Sequence, residues 1–167
     1  MGKGINKITD SKVFKSYGGV LIALIGLMIL FSALSPHFLK TNNILTILSQ
    51  VSIIAILAFG MTFVLMIGEI DLSVGSIAAL CGIVLGISLD KGFNAMISII
   101  IVLMVGAIAG FFNGFIGAKF KIPTFIVTVA TLGIFRGIGY AFTDAKPIQI
   151  NNSTILFLGN GKLFGML

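Results

Sequence analysis

The stretch GEIDLSVGSIAAL, residues 68–80, places two carboxylates between long apolar runs. Glu69 and Asp71 are followed by Ser73 and Gly75, so charged, polar and small residues interrupt the apolar pattern. Asp and Ser before a new apolar run are typical of a helix start, and a carboxylate suits the positive end of a helix dipole. The stretch predicts a break between Gly68 and Ser73, with Asp71 or Ser73 capping the helix that follows.

The composition around this stretch indicates a membrane protein. Of the 167 residues, 57% are hydrophobic and only 10% are charged, and the mean hydropathy is +1.17. A soluble domain cannot keep that much apolar surface out of water, whereas a lipid bilayer solvates it. The net charge of +6 does not indicate nucleic-acid binding, because the basic residues lie almost entirely at the ends of apolar runs, as topology signals do.

Five apolar runs predict the fold class, an all-α polytopic transmembrane bundle of about five spanning or partly spanning helices. The runs cover residues 18–34, 44–67, 73–89, 93–118 and 124–142. Most are long enough to cross a hydrocarbon core of roughly 30 Å, and the third is the shortest. The predicted organisation is a basic cytoplasmic tail at 1–17, a transmembrane domain at 18–142, and a polar turn with the start of a further segment at 143–167.

Lysine placement favours a cytoplasmic N-terminus, because positively charged loops stay inside. With that orientation and five crossings, the inside loops hold Lys3, Lys7, Lys12, Lys15, Lys119 and Lys121, and the outside loops hold Lys40, Lys91, Lys146 and Lys162. If residues 68–73 only dip into the membrane, the sidedness of everything after them is reversed.

Three charges lie within the apolar zone, where each costs about 2.5–3.5 kcal/mol near the bilayer centre. Glu69 and Asp71 either cap a helix at the break or contact a solute directly. Arg136 either reaches the outer interface with its long stem, or pairs with Asp71 or Glu69, or faces a polar path. These residues, with Ser73 and Gly75, are the candidates for a helix break or translocation path.

Small residues at every fourth position predict close helix packing. They are Gly106, Gly110, Gly114 and Ala118 in the fourth run, and Ala78, Gly82 and Gly86 in the third. Nothing predicts catalysis, because no Walker-type GxxxxGK[ST], no HExxH and no nucleophile elbow is present. Cys81 and His37 stand alone, so we expect no metal ligands, no cofactor and no enzyme activity.

Two signatures carry a family resemblance. The stretch at 68–80 resembles the G-G-I-D-L-S-V-G segment of the permease subunits of bacterial ABC importers for monosaccharides, the ribose class. The stretch IPTFIVTVATLGIFRGIGYAFTDAKPI, residues 122–148, resembles the second signature of this family. Its matching residues are Thr131, Leu132, Arg136, Gly137 and Pro147. The resemblance covers residues 43–148, and Glu69 departs from it, since the family more often has glycine there.

The resemblance implies a multi-pass permease subunit of the bacterial inner membrane. Family members run well past residue 167, so we expect this chain to be an N-terminal portion that does not act alone. It implies a second permease subunit, most simply in a homodimer, cytoplasmic ATPase subunits that hydrolyse ATP, and an extracytoplasmic sugar-binding protein. The ATPase-docking loop is expected in the C-terminal half.

Other functions stay open from the sequence. The solute could be a nucleoside, a signalling sugar or a branched-chain amino acid, although the IDLSVG motif favours sugars. A self-contained secondary transporter or channel, which inverted repeats would support, and a purely structural membrane subunit are the alternatives from other classes.

Overall fold

The computed structural model describes residues 12–160, and within them all regular secondary structure is helical, without strands. The helices are α1 Lys12–Leu34, α2 Thr41–Met66, α3 Val74–Asp90, α4 Ala95–Phe120, α5 Thr124–Thr143 and α6 Ser153–Asn160. The predicted all-α class is confirmed. Helix α1 begins inside the stretch assigned to the basic tail, and the rest of that tail, 1–11, lies outside the described residues, as does 161–167 of the predicted further segment.

Four of the helices, α1, α2, α4 and α5, are long and apolar enough to cross a membrane, and α3 is a shorter apolar helix. Large apolar side chains are exposed along the four long helices: Ile56 on α2 is 74% exposed and Phe111 on α4 is 72% exposed. Exposed apolar surface on this scale is stable only against lipid or another protein. The chain is therefore a multi-pass membrane protein, as the apolar runs predicted.

The chain divides into two units, one ending at Ser52 and the other beginning at Ile53. In the first unit, α1 ends at Leu34, the last residue of the predicted apolar run, and Pro36 disfavours helix at the residue before it. The side-chain amide of Asn43 donates a 2.7 Å hydrogen bond to the carbonyl of Phe38, which secures the link into α2.

In the second unit, α3, α4 and α5 pack against one another in an antiparallel arrangement. Leu80, Ala109 and Phe135 form the small apolar core between them. The other buried side chains are mostly hydroxyl and amide groups, namely Ser73, Ser76, Ser88, Ser98, Asn113, Thr128 and Thr131. A polar interior inside an apolar exterior is typical of helices that associate in lipid, where hydrogen bonds and small side chains hold them together.

Two of the five glycines predicted to pack between helices have a side chain within 4 Å of a Cβ position, although the neighbour of Gly86 lies in the segment between α5 and α6 rather than on a helix. A Cβ added to Gly86 would lie 2.5 Å from Cγ2 of Ile148, and one added to Gly106 would lie 3.5 Å from Sγ of Cys81. At Gly82, Gly110 and Gly114 a Cβ would meet nothing within 4 Å, so their packing role stays a prediction.

Two glycines that the sequence analysis did not select are also tight. A Cβ at Gly117 would lie 2.9 Å from Cγ2 of Thr124, and one at Gly139 would lie 2.8 Å from Cδ1 of Ile83. Their contacts depend on the neighbouring helix, which four-residue spacing along a single helix does not reveal.

The Ile148 contact gives a matched test on one helix. Gly86→Ala is expected to be less stable than Gly82→Ala by about 2 kcal/mol, because only the first adds a methyl group where Ile148 already stands. The gain in helix propensity is common to both and cancels in the comparison. Unfolding in mixed micelles measures the difference, and equal stabilities would mean that Ile148 does not pack on α3.

Candidate functional site at the helix break

Helix α2 ends at Met66 in a glycine-terminated motif. Gly68 has φ +80°, the left-handed region that glycine adopts without strain. Its N–H donates to the carbonyl of Leu65 at 3.0 Å, and the N–H of Glu69 donates to that of Val64 at 3.2 Å. This pair of bonds is the Schellman pattern, which satisfies carbonyls at the end of a helix. Gly68 was the sequence signal for this end, and the sequence analysis used it only as a boundary.

Asp71 organises the start of α3. Its Oδ1 accepts hydrogen bonds from the backbone N–H of Ser73 at 2.7 Å and from the Ser73 hydroxyl at 2.6 Å. Ser73 is the residue before α3, and its side chain makes no hydrogen bond to the first turn of the helix. The proposed Ser73 cap is therefore corrected: its hydroxyl is occupied elsewhere. Asp71 binds the N–H just before α3 rather than those of its first turn.

Asn113 ties this start to α4. Its Nδ2 donates a 2.8 Å hydrogen bond to the hydroxyl oxygen of Ser73, across 40 positions of sequence. Both residues are buried, Asn113 at 4% exposure and Ser73 at 0%. Because the Ser73 oxygen accepts from Asn113, its hydrogen is free to point at Asp71. Sequence reasoning missed Asn113, although a carboxamide inside a spanning helix is a signal in its own right.

Thr124 and Thr128 tie the break to α5. The N–H of Leu72 donates to Oγ1 of Thr128 at 3.1 Å, and the Thr128 hydroxyl donates within its own helix to the carbonyl of Phe125 at 3.2 Å. The Thr124 hydroxyl donates to a carboxylate oxygen of Glu69. The break is thus held by side chains from two helices, and neither threonine was selected from the sequence.

The break lies inside the depth of the bundle. Asn113 precedes the end of α4 by seven residues, which corresponds to about 10 Å along the helix. Helix α3, with 17 residues, is only about 25 Å long, against about 39 Å for α4. Irregular backbone at such depth is tolerated where it is buried in protein or lines a cavity. Here its polar groups are bonded to Thr128, Asp71 and the end of α2.

A cavity of about 150 Å³ adjoins the break. Its polar lining is Glu69, Asp71, Asn113, Thr124 and Thr128, and its remaining lining is Val64, Ile67, Gly110 and Gly114. The carboxylates predicted as a site therefore do share one space, with three polar side chains that the sequence analysis had not placed there. The absence of side chains at the two glycines leaves room for it.

Arg136 lies elsewhere. It follows Thr124 by 12 positions and Thr128 by eight, about 18 Å and 12 Å along α5, whereas Glu69 and Asp71 are held beside the first two turns of that helix. The Arg136 side chain is exposed, and the neighbouring Phe135 is buried in the core. The structure therefore does not bring Arg136 to either carboxylate. Gly75, in the first turn of α3, is exposed and has open space where a Cβ would stand.

Comparison with known proteins gives one family and several named relatives. Residues 43–160 match the family described as the permease component of the branched-chain amino acid transport system. The chain is 39% identical over 129 residues to the autoinducer 2 import system permease protein LsrC of Photorhabdus laumondii, covering 77% of this chain and 39% of that protein. It is 41% identical over 149 residues to the ribose import permease protein RbsC of Haemophilus influenzae, covering 87% and 46%.

These alignments cover only part of each relative. The chain spans less than half the length of the curated relatives it matches. No solved structure gave a significant match.

Proposed function

The chain belongs to the family of permease components of the branched-chain amino acid transport system, and from this membership we propose that it forms part of the membrane subunit of an ATP-driven importer for a monosaccharide. The observation that carries the proposal is the 41% identity to a ribose import permease over 149 residues. The family description alone would suggest an amino acid, but the relatives compared above are named for ribose and autoinducer 2.

The break between α2 and α3 is the part of the chain that we propose for the translocation path. Glu69 and Asp71 bring carboxylate groups to the cavity, and Ser73 holds Asp71 in place beside it. Transporters place broken helices beside the solute, because the ends of such helices present polar backbone groups at membrane depth. Gly75 keeps the first turn of α3 open, and we propose that exposed Arg136 faces a polar path or an adjoining subunit.

The proposed assembly has a second permease subunit, most simply a second copy of this chain, cytoplasmic ATPase subunits and an extracytoplasmic sugar-binding protein. We propose a cytoplasmic N-terminus in the inner membrane. Lys119 and Lys121 lie at the junction of α4 and α5, and the positive-inside tendency supports a cytoplasmic position for this end. The break, which adjoins the same end of α4, would then lie in the cytoplasmic half of the membrane.

Uptake of labelled ribose tests this function. The gene, with its chromosomal neighbours, would be expressed in a bacterium that lacks its own ribose importer. We expect uptake that stops when the phosphate-binding lysine of the partner ATPase is replaced. ATP-independent uptake by the purified chain in liposomes would instead support a secondary transporter or channel.

Competition by unlabelled solutes identifies the substrate class. Excess ribose is expected to suppress uptake, whereas a nucleoside and a branched-chain amino acid leave it unchanged. Autoinducer 2 is the second candidate, favoured by the 39% identity to its import permease. Suppression by the amino acid alone would overturn the assignment to monosaccharides.

A further inference from the structure

The cavity at the helix break has free hydrogen-bond acceptors and few free donors. Asp71 uses Oδ1 for both of its hydrogen bonds, and Glu69 receives the Thr124 hydroxyl on Oε2, so each carboxylate keeps a second oxygen. Asn113 lines the same cavity, and its Oδ1 is buried without a hydrogen-bond partner within the described residues. Asn113 as a whole is 4% exposed, and a buried amide oxygen without a hydrogen-bond partner costs free energy.

The hydroxyl groups around the cavity cannot supply that partner. Thr124 donates to Glu69, Ser73 donates to Asp71, and Thr128 donates to the carbonyl of Phe125. Each hydroxyl has a single hydrogen to donate, so all three are engaged. Within residues 12–160 no further hydroxyl donor lines the cavity, so the group that completes the site has to be one that is attracted to oxygen atoms.

We propose that this cavity binds a hard cation, Mg²⁺, Ca²⁺ or Na⁺, through Glu69, Asp71 and Asn113, with water completing its coordination. Carboxylate and amide oxygens are the ligands that such ions take. Within residues 12–160 no three His, Cys, Asp or Glu side chains come together, so the site lacks the set that transition metals favour. The proposal departs from the expectation of no metal ligands, because that expectation could not place Asn113 beside the carboxylates.

Charge supports a cation as the occupant. Every hydrogen-bond partner that the structure gives Glu69 and Asp71 is a neutral hydroxyl or N–H group. The start of α3 contributes roughly half a positive charge, against two full negative charges. Lys121, three positions before Thr124, is exposed at the end of α4. An uncompensated charge at membrane depth is unfavourable, so a bound cation would offset much of the remaining negative charge.

One sugar hydroxyl alone cannot satisfy all three acceptors. It could donate its hydrogen to one of the three acceptors. Its oxygen would then face the other two acceptors, and no hydroxyl hydrogen remains to bond to that oxygen. A cation is attracted to all three acceptors at once. The cation site does not depend on the proposed transport function, since it rests on the residues of this cavity alone.

Thermal unfolding of the purified full-length chain tests the site. After removal of metals, the protein in detergent would be titrated with MgCl₂, CaCl₂ or NaCl, with choline chloride as the control for ionic strength. We expect at least one cation to raise Tm saturably by about 5 °C, since a ligand that binds only the folded state stabilises it. The three salts distinguish which ion the site prefers.

Variants locate the effect. Glu69→Gln keeps an acceptor for Thr124 and should still fold, yet it is expected to weaken the apparent cation affinity about tenfold or more. Gly114→Val, which fills open space beside the cavity, is expected to do the same without removing a ligand. Asp90→Asn, at the exposed opposite end of α3, is the matched control and should retain wild-type affinity.

Two results would overturn the proposal. One is the absence of any cation-specific rise in Tm across the three titrations, carried for Mg²⁺ and Ca²⁺ to about 10 mM, roughly ten times the Kd of the weakest ordinary calcium sites. The other is an equal rise in wild type, Glu69→Gln and Gly114→Val, which would locate the bound ions elsewhere on the protein.

Discussion

Replacement of Asp71 by leucine is expected to lower the free energy of unfolding by about 3 kcal/mol, a large effect for one side chain. The carboxylate accepts both the N–H and the hydroxyl of Ser73. Ser73 has 0% exposure, so water cannot replace the lost acceptor. Each buried donor that is left without an acceptor costs about 1–3 kcal/mol.

The cost of placing a charge in the membrane does not reverse this result. Leucine is more favourable than aspartate in hydrocarbon by about 3 kcal/mol at the bilayer centre. That gain applies equally to a state in which the helices are inserted but unpacked, so it largely cancels when packing is measured. The hydrogen bonds to Ser73 form only when the break is folded, and they do not cancel.

Unfolding of the purified protein by SDS in mixed micelles measures this loss. Asp71→Asn should cost only about 1 kcal/mol, because its amide oxygen still accepts but the bonds are no longer charge-assisted. Asp90→Leu, which removes an exposed acid from the other end of α3, should be nearly neutral. Equal losses for Asp71→Leu and Asp90→Leu would contradict the role given to Asp71.

Thr128→Val is expected to lower the free energy of unfolding by about 2 kcal/mol. The two side chains have nearly the same shape, so the change removes the hydroxyl with little effect on volume. The N–H of Leu72 then loses its acceptor, and the break loses its backbone tie to α5. Thr128 is only 1% exposed, so bulk water does not reach its hydroxyl position to replace the lost acceptor.

Thr131→Val is the matched control for this change. Thr131 is on the same helix and equally buried, but its hydroxyl donates only to the carbonyl of Thr128, within α5. We expect a loss below about 1 kcal/mol, as for an ordinary hydrogen bond whose carbonyl remains bonded in the helix. A loss at Thr131 as large as that at Thr128 would indicate general core packing rather than a tie to the break.

The helices were predictable because insertion into a membrane depends on the local composition of each segment. The apolar runs at 93–118 and 124–142 correspond to α4 and α5 within two residues at each end. The break was predictable for the same reason, since Glu69 and Asp71 are conspicuous in an apolar context. Their chemistry alone marks the position, without knowledge of their neighbours.

The partners of the break were not predictable, because they come from distant positions. Asn113 lies 40 residues from Ser73, and Thr128 lies 56 residues from Leu72. In sequence, each is a single polar residue in an apolar run, and its helix face decides whether it contacts lipid or the break. For the same reason, the sequence could not show whether Arg136 pairs with a carboxylate. Its distance from the carboxylates along α5 answers that question.

The structural ties give the break a definite geometry, which a translocation path requires. Asp71 is fixed through Ser73 and Asn113, and Glu69 is fixed through Thr124. Positions held by two helices respond when those helices move relative to each other. In an importer that alternates between inward and outward states, such a break would change the cavity as α4 and α5 shift, which connects the fold to the proposed transport.

The most direct test of this account is labelled ribose uptake by the natural gene product with Asp71→Asn, measured beside its membrane abundance. The substitution preserves an acceptor for Ser73, so we predict wild-type abundance and uptake reduced to about a tenth, a loss typical of altered binding sites. Asp90→Asn should leave both unchanged. Wild-type uptake by Asp71→Asn at normal abundance would contradict the claim that the helix break serves transport.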